Sequence, residues 1–343
     1  MSLEKLKEIK IKVEEELNKY FDSKIQEAED ENSKEVLEFL KDYTLRAGKR
    51  IRAGMLVYGY LCFKELDNEI IKASMAMELM QSYFLIHDDI MDKDVLRRGK
   101  DSMHIMYEKK YDVIDKEHFG VSMAICAGDV ACTLANEILL KTDFENKAKG
   151  TEIMNKVFET CIYGQLKDVV FEKKNPSELN EEDVLRVYRL KTASYTVEGP
   201  LHIGAVLAGA EDVKTLLDYG VVLGKGFQIN DDINGIFGDE EKTGKPSDSD
   251  LKEGKRTLLL IKTLKDCNDE EREFILKNLN DDLKEEDAEK IREIIKKYAL
   301  EYCRGKSDEF IEESKTIIKD AEIREDAKEF LLEIAEYVAK RDH

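Results

Sequence analysis

The sequence predicts an all-α protein, and three observations favour that class. Apolar residues recur at spacings of three and four, as at Leu3, Leu6, Ile9 and Val13, which is the period of an amphipathic helix. Strict alternation of apolar and polar residues, the pattern of a half-buried strand, is hard to find. Only 3 prolines occur in 343 residues, so little in the chain interrupts helices.

The predicted helices follow this spacing along the chain. The long segments from Ile70 to Met91 and from Val213 to Phe237 are apolar around most of their circumference, which is typical of interior helices of a bundle. The region after Cys267 is denser in Glu and Lys and predicts helices that face solvent. Gly238 to Gly254 is the least helical internal segment and is a candidate active-site loop. In chain order, the predicted helices cover 3–20, 32–46, 50–65, 68–93, 101–110, 117–141, 146–172, 181–191, 193–209, 211–238, 254–266, 270–279, 285–304, 306–319 and 323–340.

The chain predicts a single domain over residues 1–343. Hydrophobic residues make up 42% and charged residues 38% of the sequence, as in globular proteins. No linker rich in Pro, Gly or Ser divides it. We expect one large bundle of antiparallel helices around a deep central cavity.

Charge and cysteine usage exclude several classes of protein. The net charge of −20 argues against nucleic acid as a partner, because the phosphates would be repelled. No run approaches the roughly 18 apolar residues of a membrane span, and the N-terminus lacks the apolar core of a signal peptide. The 6 cysteines form no CxxC pair, so we expect reduced thiols in a cytoplasmic protein.

Two acidic stretches carry the strongest chemical signal. Asp88 and Asp92 are four residues apart, so on a helix both carboxylates project from one face about 5–6 Å apart. Asp231 and Asp232 lie in the second stretch. Both stretches sit in apolar helical surroundings, where an unpaired carboxylate is costly. Carboxylate oxygens suit Mg²⁺, which is often coordinated by protein carboxylates and substrate phosphates together. We therefore expect a cluster of metal ions facing one diphosphate.

Basic residues occur near these acidic stretches. Lys49 and Arg52 share a face at a predicted helix start, where phosphate is favoured electrostatically. Arg97 and Arg98 follow the first acidic stretch in a turn, and guanidinium groups suit bidentate phosphate contacts. Further basic points are Lys191, Lys245, Lys255 and Arg256.

With these residues the chain resembles the trans-isoprenyl diphosphate synthases, such as farnesyl and geranylgeranyl diphosphate synthases, in their compact archaeal-like form. The resemblance spans about Lys41 to Lys255, with a weaker match in the helical tail. Its motifs stand in the family's order: GKRIRAG at 48–54, HDDIMDKDVLRRGKDSMH at 87–104, AGDVACTLANEIL at 127–139, YGQLKDV at 163–169, KTASYTVEGPLHIGA at 191–205, and FQINDDINGIFGDEEKTGKPSDSDLKEGKRT at 227–257.

The resemblance implies an isoprenoid-synthase type fold, a Mg²⁺-dependent prenyltransferase with about three ions per site, and a homodimer. The substrates would be isopentenyl diphosphate and an allylic diphosphate (dimethylallyl, geranyl or farnesyl). The implied metal ligands are Asp88, Asp92, Asp231 and Asp232. The implied allylic diphosphate ligands are Arg97, Lys191, Lys245 and Lys255. The implied isopentenyl diphosphate ligands are Lys49, Arg52, Arg98 and Gln81, the last where relatives often carry His. The groups that would face the reacting carbons are Lys191 (through its backbone oxygen), Thr192 and Gln228.

Gly235 stands where many relatives carry a third Asp in the second acidic motif. The metal would then rest on Asp231, helped by Asn234, Asp239 or water.

Two aromatic residues predict the product length. Tyr83 and Phe84 precede Asp88 by five and four residues, which places them about 6–7.5 Å deeper along the helix. Two bulky rings in the family's chain-stopping position favour a shallow pocket and a C15 product, with C20 close behind.

Alternative functions follow from the same residues. A helical metal phosphohydrolase would need a further His ligand upstream, and none of the 5 His precedes His87. A non-catalytic regulatory subunit of a heteromeric synthase would keep the fold without the site, whereas these motifs are intact.

Overall fold

The computed structural model describes residues 2–238, 249–279 and 283–339. The predicted all-α class is confirmed, because the described strands form a single two-stranded antiparallel sheet of β1 (Leu96–Arg97) and β2 (Lys100–Asp101). The helices are α1 (Ser2–Glu27), α2 (Glu31–Leu45), α3 (Ile51–Leu61), α4 (Asn68–Met91), α5 (Met103–Lys110), α6 (Lys116–Leu140), α7 (Lys147–Lys173), α8 (Glu181–Val187), α9 (Gly199–Leu207), α10 (Lys214–Phe237), α11 (Ser249–Glu253), α12 (Leu258–Asp266), α13 (Asp269–Asn278), α14 (Glu285–Ile295), α15 (Glu301–Lys319) and α16 (Glu325–Ala339). A 3-10 turn covers Pro176–Glu178, and Tyr188–Glu198 and Lys296–Leu300 wind as π-helix.

Side-chain caps begin several helices where the sequence supplies them. Asp30 accepts hydrogen bonds from two backbone N–H groups at the start of α2, and Asp67 accepts one at the start of α4. Asn180 and Asn268 form capping boxes at α8 and α13. Such caps satisfy N–H groups that the first helical turn leaves without partners.

One compact unit consists of Met1–Met154 and Pro200–Glu211. Its interior includes α3, which is buried from Ala53 to Leu61, and α4, which is buried along most of Ile70–Met80. The helix α4 packs on α6, α3 and α1. The prediction of an interior helix between Ile70 and Met91 is therefore confirmed.

The other unit consists of Asn155–Gly199 and Asp212–His343. In it, α10 packs on the π-helical segment Tyr188–Glu198 and on α15. Its core contains aliphatic side chains of α10, α12 and α14. The helices after Cys267 are amphipathic rather than wholly solvent-facing, since they bury side chains such as Ile291 and Phe330.

Some predicted boundaries differ from the structure. The break predicted near residue 192 falls inside the π-helical segment Tyr188–Glu198, where backbone hydrogen bonding continues with a wider turn that apolar spacing does not reveal. The break predicted near residue 305 falls inside the α-helix Glu301–Lys319. The helix α1 extends to Glu27. Of the predicted loop, Ser249–Glu253 is helical, and residues 239–248 lie outside the described residues.

Candidate active site

The first acidic stretch lies at the carboxyl end of α4. Asp88 is in the last turn, and Asp92 is the C-cap, whose N–H donates to the Asp88 carbonyl at 2.8 Å. Both side chains are partly exposed. A carboxylate oxygen of Asp92 and one of Asp94 lie within 4.8 Å of each other. The negative end of a helix dipole disfavours carboxylates, so this gathering of oxygen donors fits a hard cation such as Mg²⁺.

Asp89, which lies between Asp88 and Asp92 in the sequence, has a different environment. It is fully buried and accepts hydrogen bonds from the Tyr43 hydroxyl at 2.7 Å and from Arg97 Nε at 2.6 Å. Arg97 Nη2 also donates to Asp94 at 2.7 Å. Burial raises the pKa of Asp89 to about 6, although Arg97 and Tyr43 act in the opposite direction. Asp89 and Asp94 therefore anchor Arg97, a function that the sequence reasoning did not assign to them.

Three predicted substrate ligands line one cleft in this unit. Burial lowers the pKa of Arg98, and the positive charges of Arg50 and Arg52 lower it further. A bound anion would stabilise the charge of an arginine that is buried near other positive charges in this way. The cleft lining consists of Gln81, Arg97 and Arg98 together with Tyr43, Thr44, Arg50, Glu78, Ser82 and Leu85.

The loop that precedes α3 carries Lys49 and is held by buried arginines. Arg50, at the helix start, has a left-handed backbone (φ 54°), and so has Arg98 (φ 56°). Both guanidinium groups donate to the Arg46 carbonyl at 3.1 Å. Such conformations cost energy and cluster at functional sites. Lys49 is exposed and Arg52 is partly exposed.

Arg50 also forms a buried ion pair that the sequence reasoning missed. Its Nη1 lies 3.0 Å from Glu78, and its Nε lies 2.9 Å from Glu14. Arg50 is 3% and Glu78 2% exposed. Their separation of 28 residues leaves no local signal for the pairing.

Tyr83 and Phe84 do not lie on the same face of α4. The Tyr83 ring packs on His87, with centroids 4.6 Å apart, and the Tyr83 carbonyl accepts a hydrogen bond from His87 Nδ1 at 2.9 Å. A Cβ at Gly128 of α6 would lie 2.2 Å from the His87 ring, so this face of α4 meets α6. Phe84, four residues before Asp88, shares the face of that carboxylate.

In the other unit, the predicted residues Thr192, Gln228 and Asp232 are linked by hydrogen bonds. The Thr192 hydroxyl donates to Gln228 Oε1 at 2.5 Å, and Gln228 Nε2 donates to Asp232 Oδ1 at 2.6 Å. Asp232 is 7% exposed, whereas Asp231 is exposed. Asp231 thus has the accessibility that a metal ligand needs.

Asp232 has a further partner in Tyr188. The Tyr188 hydroxyl donates to Asp232 Oδ2 and accepts the backbone N–H of Leu258 at 2.8 Å. Burial raises the pKa of Tyr188 well above its ordinary value, and the negative charge of Asp232 adds to this. Tyr188 is therefore a neutral donor, and the sequence reasoning missed it.

Lys191 lies in the π-helical segment and pairs with Asp168 of α7 at 2.7 Å. A Cβ at Gly164 would lie 2.4 Å from the Lys191 backbone nitrogen, so only glycine allows α7 this close. Lys255 pairs with Glu253 at 2.6 Å. Lys245 lies outside the described residues.

One described helix, α6, has the length and apolar composition that a membrane span needs. Within its unit it packs on α4 and α5. Core helices of globular proteins pass the same test, so this single helix is weak evidence of a span.

The sequence and the fold both match known proteins. Residues 33–298 match the family model described as polyprenyl synthetase. A geranylgeranyl diphosphate synthase of Saccharolobus solfataricus is 37% identical over 264 residues, covering 75% of each chain. A short chain isoprenyl diphosphate synthase of Methanocaldococcus jannaschii is 34% identical and covers 87% of this chain and 84% of its own.

A solved structure supports the same assignment. The geranylgeranyl pyrophosphate synthase from Corynebacterium glutamicum, complexed with isoprenyl diphosphate and magnesium, superposes with a TM-score of 0.89 at 31% identity. The match covers 96% of this chain and 97% of that one, and it confirms the expected isoprenoid-synthase type of fold. The chain therefore belongs to the polyprenyl synthetase family, the trans-isoprenyl diphosphate synthases.

Proposed function

We propose that this protein is a Mg²⁺-dependent prenyltransferase that condenses isopentenyl diphosphate with an allylic diphosphate to a short trans-prenyl diphosphate. The observation that carries the proposal is the convergence of Gln81, Arg97 and Arg98 beside the acidic end of α4. A protein of net charge −20 binds an anion only where cations are concentrated locally. Substrate diphosphate explains that concentration.

Each group of residues has a proposed function. Mg²⁺, about three ions per site, would neutralise charge on the leaving diphosphate when bound. The proposed metal ligands are Asp88, Asp92, Asp231 and Asp232. The allylic diphosphate is assigned to Arg97, Lys191, Lys245 and Lys255, and isopentenyl diphosphate to Lys49, Arg52, Gln81 and Arg98.

The chemistry breaks the allylic C–O bond and forms a C–C bond to the isopentenyl double bond, and the departing diphosphate takes the proton that is lost. The chain contributes oxygen dipoles toward the allylic cation, from the Lys191 carbonyl, Thr192 and Gln228. Thr192 donates its proton to Gln228, so its oxygen presents lone pairs to a developing positive charge. No side-chain base is required.

For the product we place C20 ahead of C15. Phe84 alone shares the face of Asp88, whereas Tyr83 packs on His87 toward α6, so a single ring limits the pocket below the metal ligands. The relative from S. solfataricus and the solved structure from C. glutamicum both carry the name geranylgeranyl, a C20 product. The C15 product remains the second candidate, since Tyr83 and Phe84 are adjacent rings with centroids 5.1 Å apart.

We also propose that the protein is a cytoplasmic homodimer. All six cysteines are thiols, as expected in a reducing compartment. Along α7, four apolar side chains at helical spacing are exposed: Ile162, Tyr163, Leu166 and Val170. A second copy covering this face would remove it from water.

Incubation with isopentenyl diphosphate, an allylic primer and Mg²⁺, followed by mass analysis of the products, tests the proposed function. A synthase lengthens the primer by five-carbon units. A regulatory subunit leaves both substrates unchanged, and a phosphohydrolase releases phosphate without lengthening the primer.

A further inference from the structure

We infer that Tyr188 is a positioning residue that acts through Asp232 and Gln228 to orient the Thr192 hydroxyl toward the reacting carbons. The inference deepens the proposed function and rests on it. It assigns a function to a tyrosine that lies outside the metal and diphosphate ligands.

The hydrogen bonds have a determined direction. Tyr188 accepts the Leu258 N–H, so its own proton goes to Asp232. A carboxylate only accepts hydrogen bonds, which forces Gln228 to present its NH₂ group to Asp232 and its carbonyl oxygen to Thr192. Thr192 must then be the donor to Gln228. The lone pairs of its oxygen are not used in this hydrogen bond.

Burial makes this arrangement rigid. Tyr188, Asp232 and Thr192 are 5%, 7% and 7% exposed, so water offers few alternative partners. Leu258 is the first residue of α12, whose N–H has no partner within the helix. Through its hydroxyl, Tyr188 therefore connects the start of α12 to Asp232 of α10. Tyr188 is also the first residue of the π-helical segment that contains Thr192.

Removal of the Tyr188 hydroxyl would undo two contacts at once. The Leu258 N–H would lose its acceptor, and Asp232 would lose a donor in a buried position. The Asp232 carboxylate then loses one of its restraints, and the Gln228 amide that is hydrogen-bonded to it shifts with it. Small displacements of groups at a reacting centre reduce turnover strongly without weakening substrate binding to the same degree.

The test compares Tyr188→Phe with Tyr219→Phe. Tyr219 is a matched control, because it is a fully buried tyrosine of the same unit whose hydroxyl donates to the Leu331 carbonyl at 2.7 Å. We expect Tyr188→Phe to lower kcat by on the order of tenfold or more, with KM for both diphosphates within about twofold. Tyr219→Phe should leave kcat within about twofold.

A double-mutant cycle with Thr192→Val separates positioning from a general loss of packing. If Tyr188 acts through Thr192, adding Tyr188→Phe to Thr192→Val lowers kcat by less than about twofold more, because coupled residues are not additive. Losses that multiply overturn the inference. So does a folded Tyr188→Phe variant with wild-type kcat, or an equal loss in Tyr219→Phe.

A second variant covers the case in which Tyr188→Phe does not fold. Gln228→Leu removes the amide that joins Asp232 to Thr192, so kcat should fall while the affinity for inorganic diphosphate with Mg²⁺, measured by calorimetry, stays within about twofold. A wild-type kcat in this variant, or a loss of diphosphate affinity as large as the loss of kcat, would overturn the inference. Absence of primer elongation by the wild-type protein contradicts the proposed function itself, whereas wild-type elongation with unaffected variants contradicts only this inference.

Discussion

Among single residues, the buried pair of Arg50 and Glu78 is expected to have a large effect on stability. Replacing Arg50 by Met leaves Glu78, 2% exposed, as a buried charge without its guanidinium partner. Breaking such a pair costs about 3–5 kcal/mol. We therefore expect the free energy of unfolding of Arg50→Met, measured by denaturant titration, to fall by about that amount.

Lys19→Met is the matched control for this variant. The Lys19 ammonium pairs with Glu16 at 2.7 Å but is 69% exposed, and exposed pairs contribute little to stability. A loss in Arg50→Met no larger than in Lys19→Met would contradict a structural function of the buried pair.

The metal ligands make a second prediction for single residues. Asp88→Asn and Asp231→Asn should each lower kcat by on the order of 10²–10³, the range seen when one group that stabilises transition-state charge is removed. Asp112→Asn, at an almost fully exposed carboxylate, should retain full activity. Measurement over a range of Mg²⁺ concentrations checks the cause, because a weakened metal site is partly rescued by more metal. Full activity of either ligand variant would refute the assignment.

Product length depends on single side chains as well. Phe84→Ala opens space on the face of Asp88, so the product should lengthen by at least one five-carbon unit. Tyr83→Ala should have a smaller effect, because the Tyr83 ring packs on His87. Mass analysis of the products from both variants decides this, and unchanged products in both would remove the idea that these rings limit the pocket.

Among the secondary-structure elements, the contact between α7 and the π-helical segment positions Lys191. A Cβ at Gly164 would lie 2.4 Å from the Lys191 nitrogen and 2.7 Å from its Cα, and backbone atoms do not yield as a flexible side chain would. Gly164→Ala should lower the free energy of unfolding by about 1–3 kcal/mol, the usual cost of overpacking, and should reduce activity by displacing Lys191.

Gly305→Ala provides the opposite outcome at another helix of the same unit. Gly305 lies inside α15 with nothing within 4 Å of an added Cβ, so alanine should stabilise the protein by up to about 1 kcal/mol. Thermal unfolding of both variants is the measurement. A Gly164→Ala variant as stable as wild type would show that the π-helical segment accommodates the methyl group.

At the level of the whole molecule, the exposed apolar face of α7 predicts self-association. Leu166→Asp combined with Val170→Asp places two charges on side chains that are 57% and 53% exposed. We expect these substitutions to convert a dimer to a monomer in sedimentation experiments. Ile114→Asp, at a fully exposed residue outside α7, should leave the mass unchanged. A wild-type monomer, or a double variant that stays dimeric, would contradict the proposed interface.

The sequence by itself determined the helical class, the interior position of α4 and the residue types of the site, because these follow from apolar period and motif spacing over a few turns. The sequence also showed that Asp88, Asp92, Arg97 and Arg98 lie within eleven consecutive residues. Local spacing could not show that the chain continues as helix through the π-helical segment at Tyr188–Glu198, since a wider turn leaves no separate sequence signal.

Only the tertiary structure decided which buried charges and hydroxyls are partners. Arg50 meets Glu78 across 28 residues, and Tyr188 meets Asp232 across 44 and Leu258 across 70. Each of these polar groups needs a partner because burial removes water. Which group supplies that partner depends on how distant helices pack, and no periodicity within one helix carries that information.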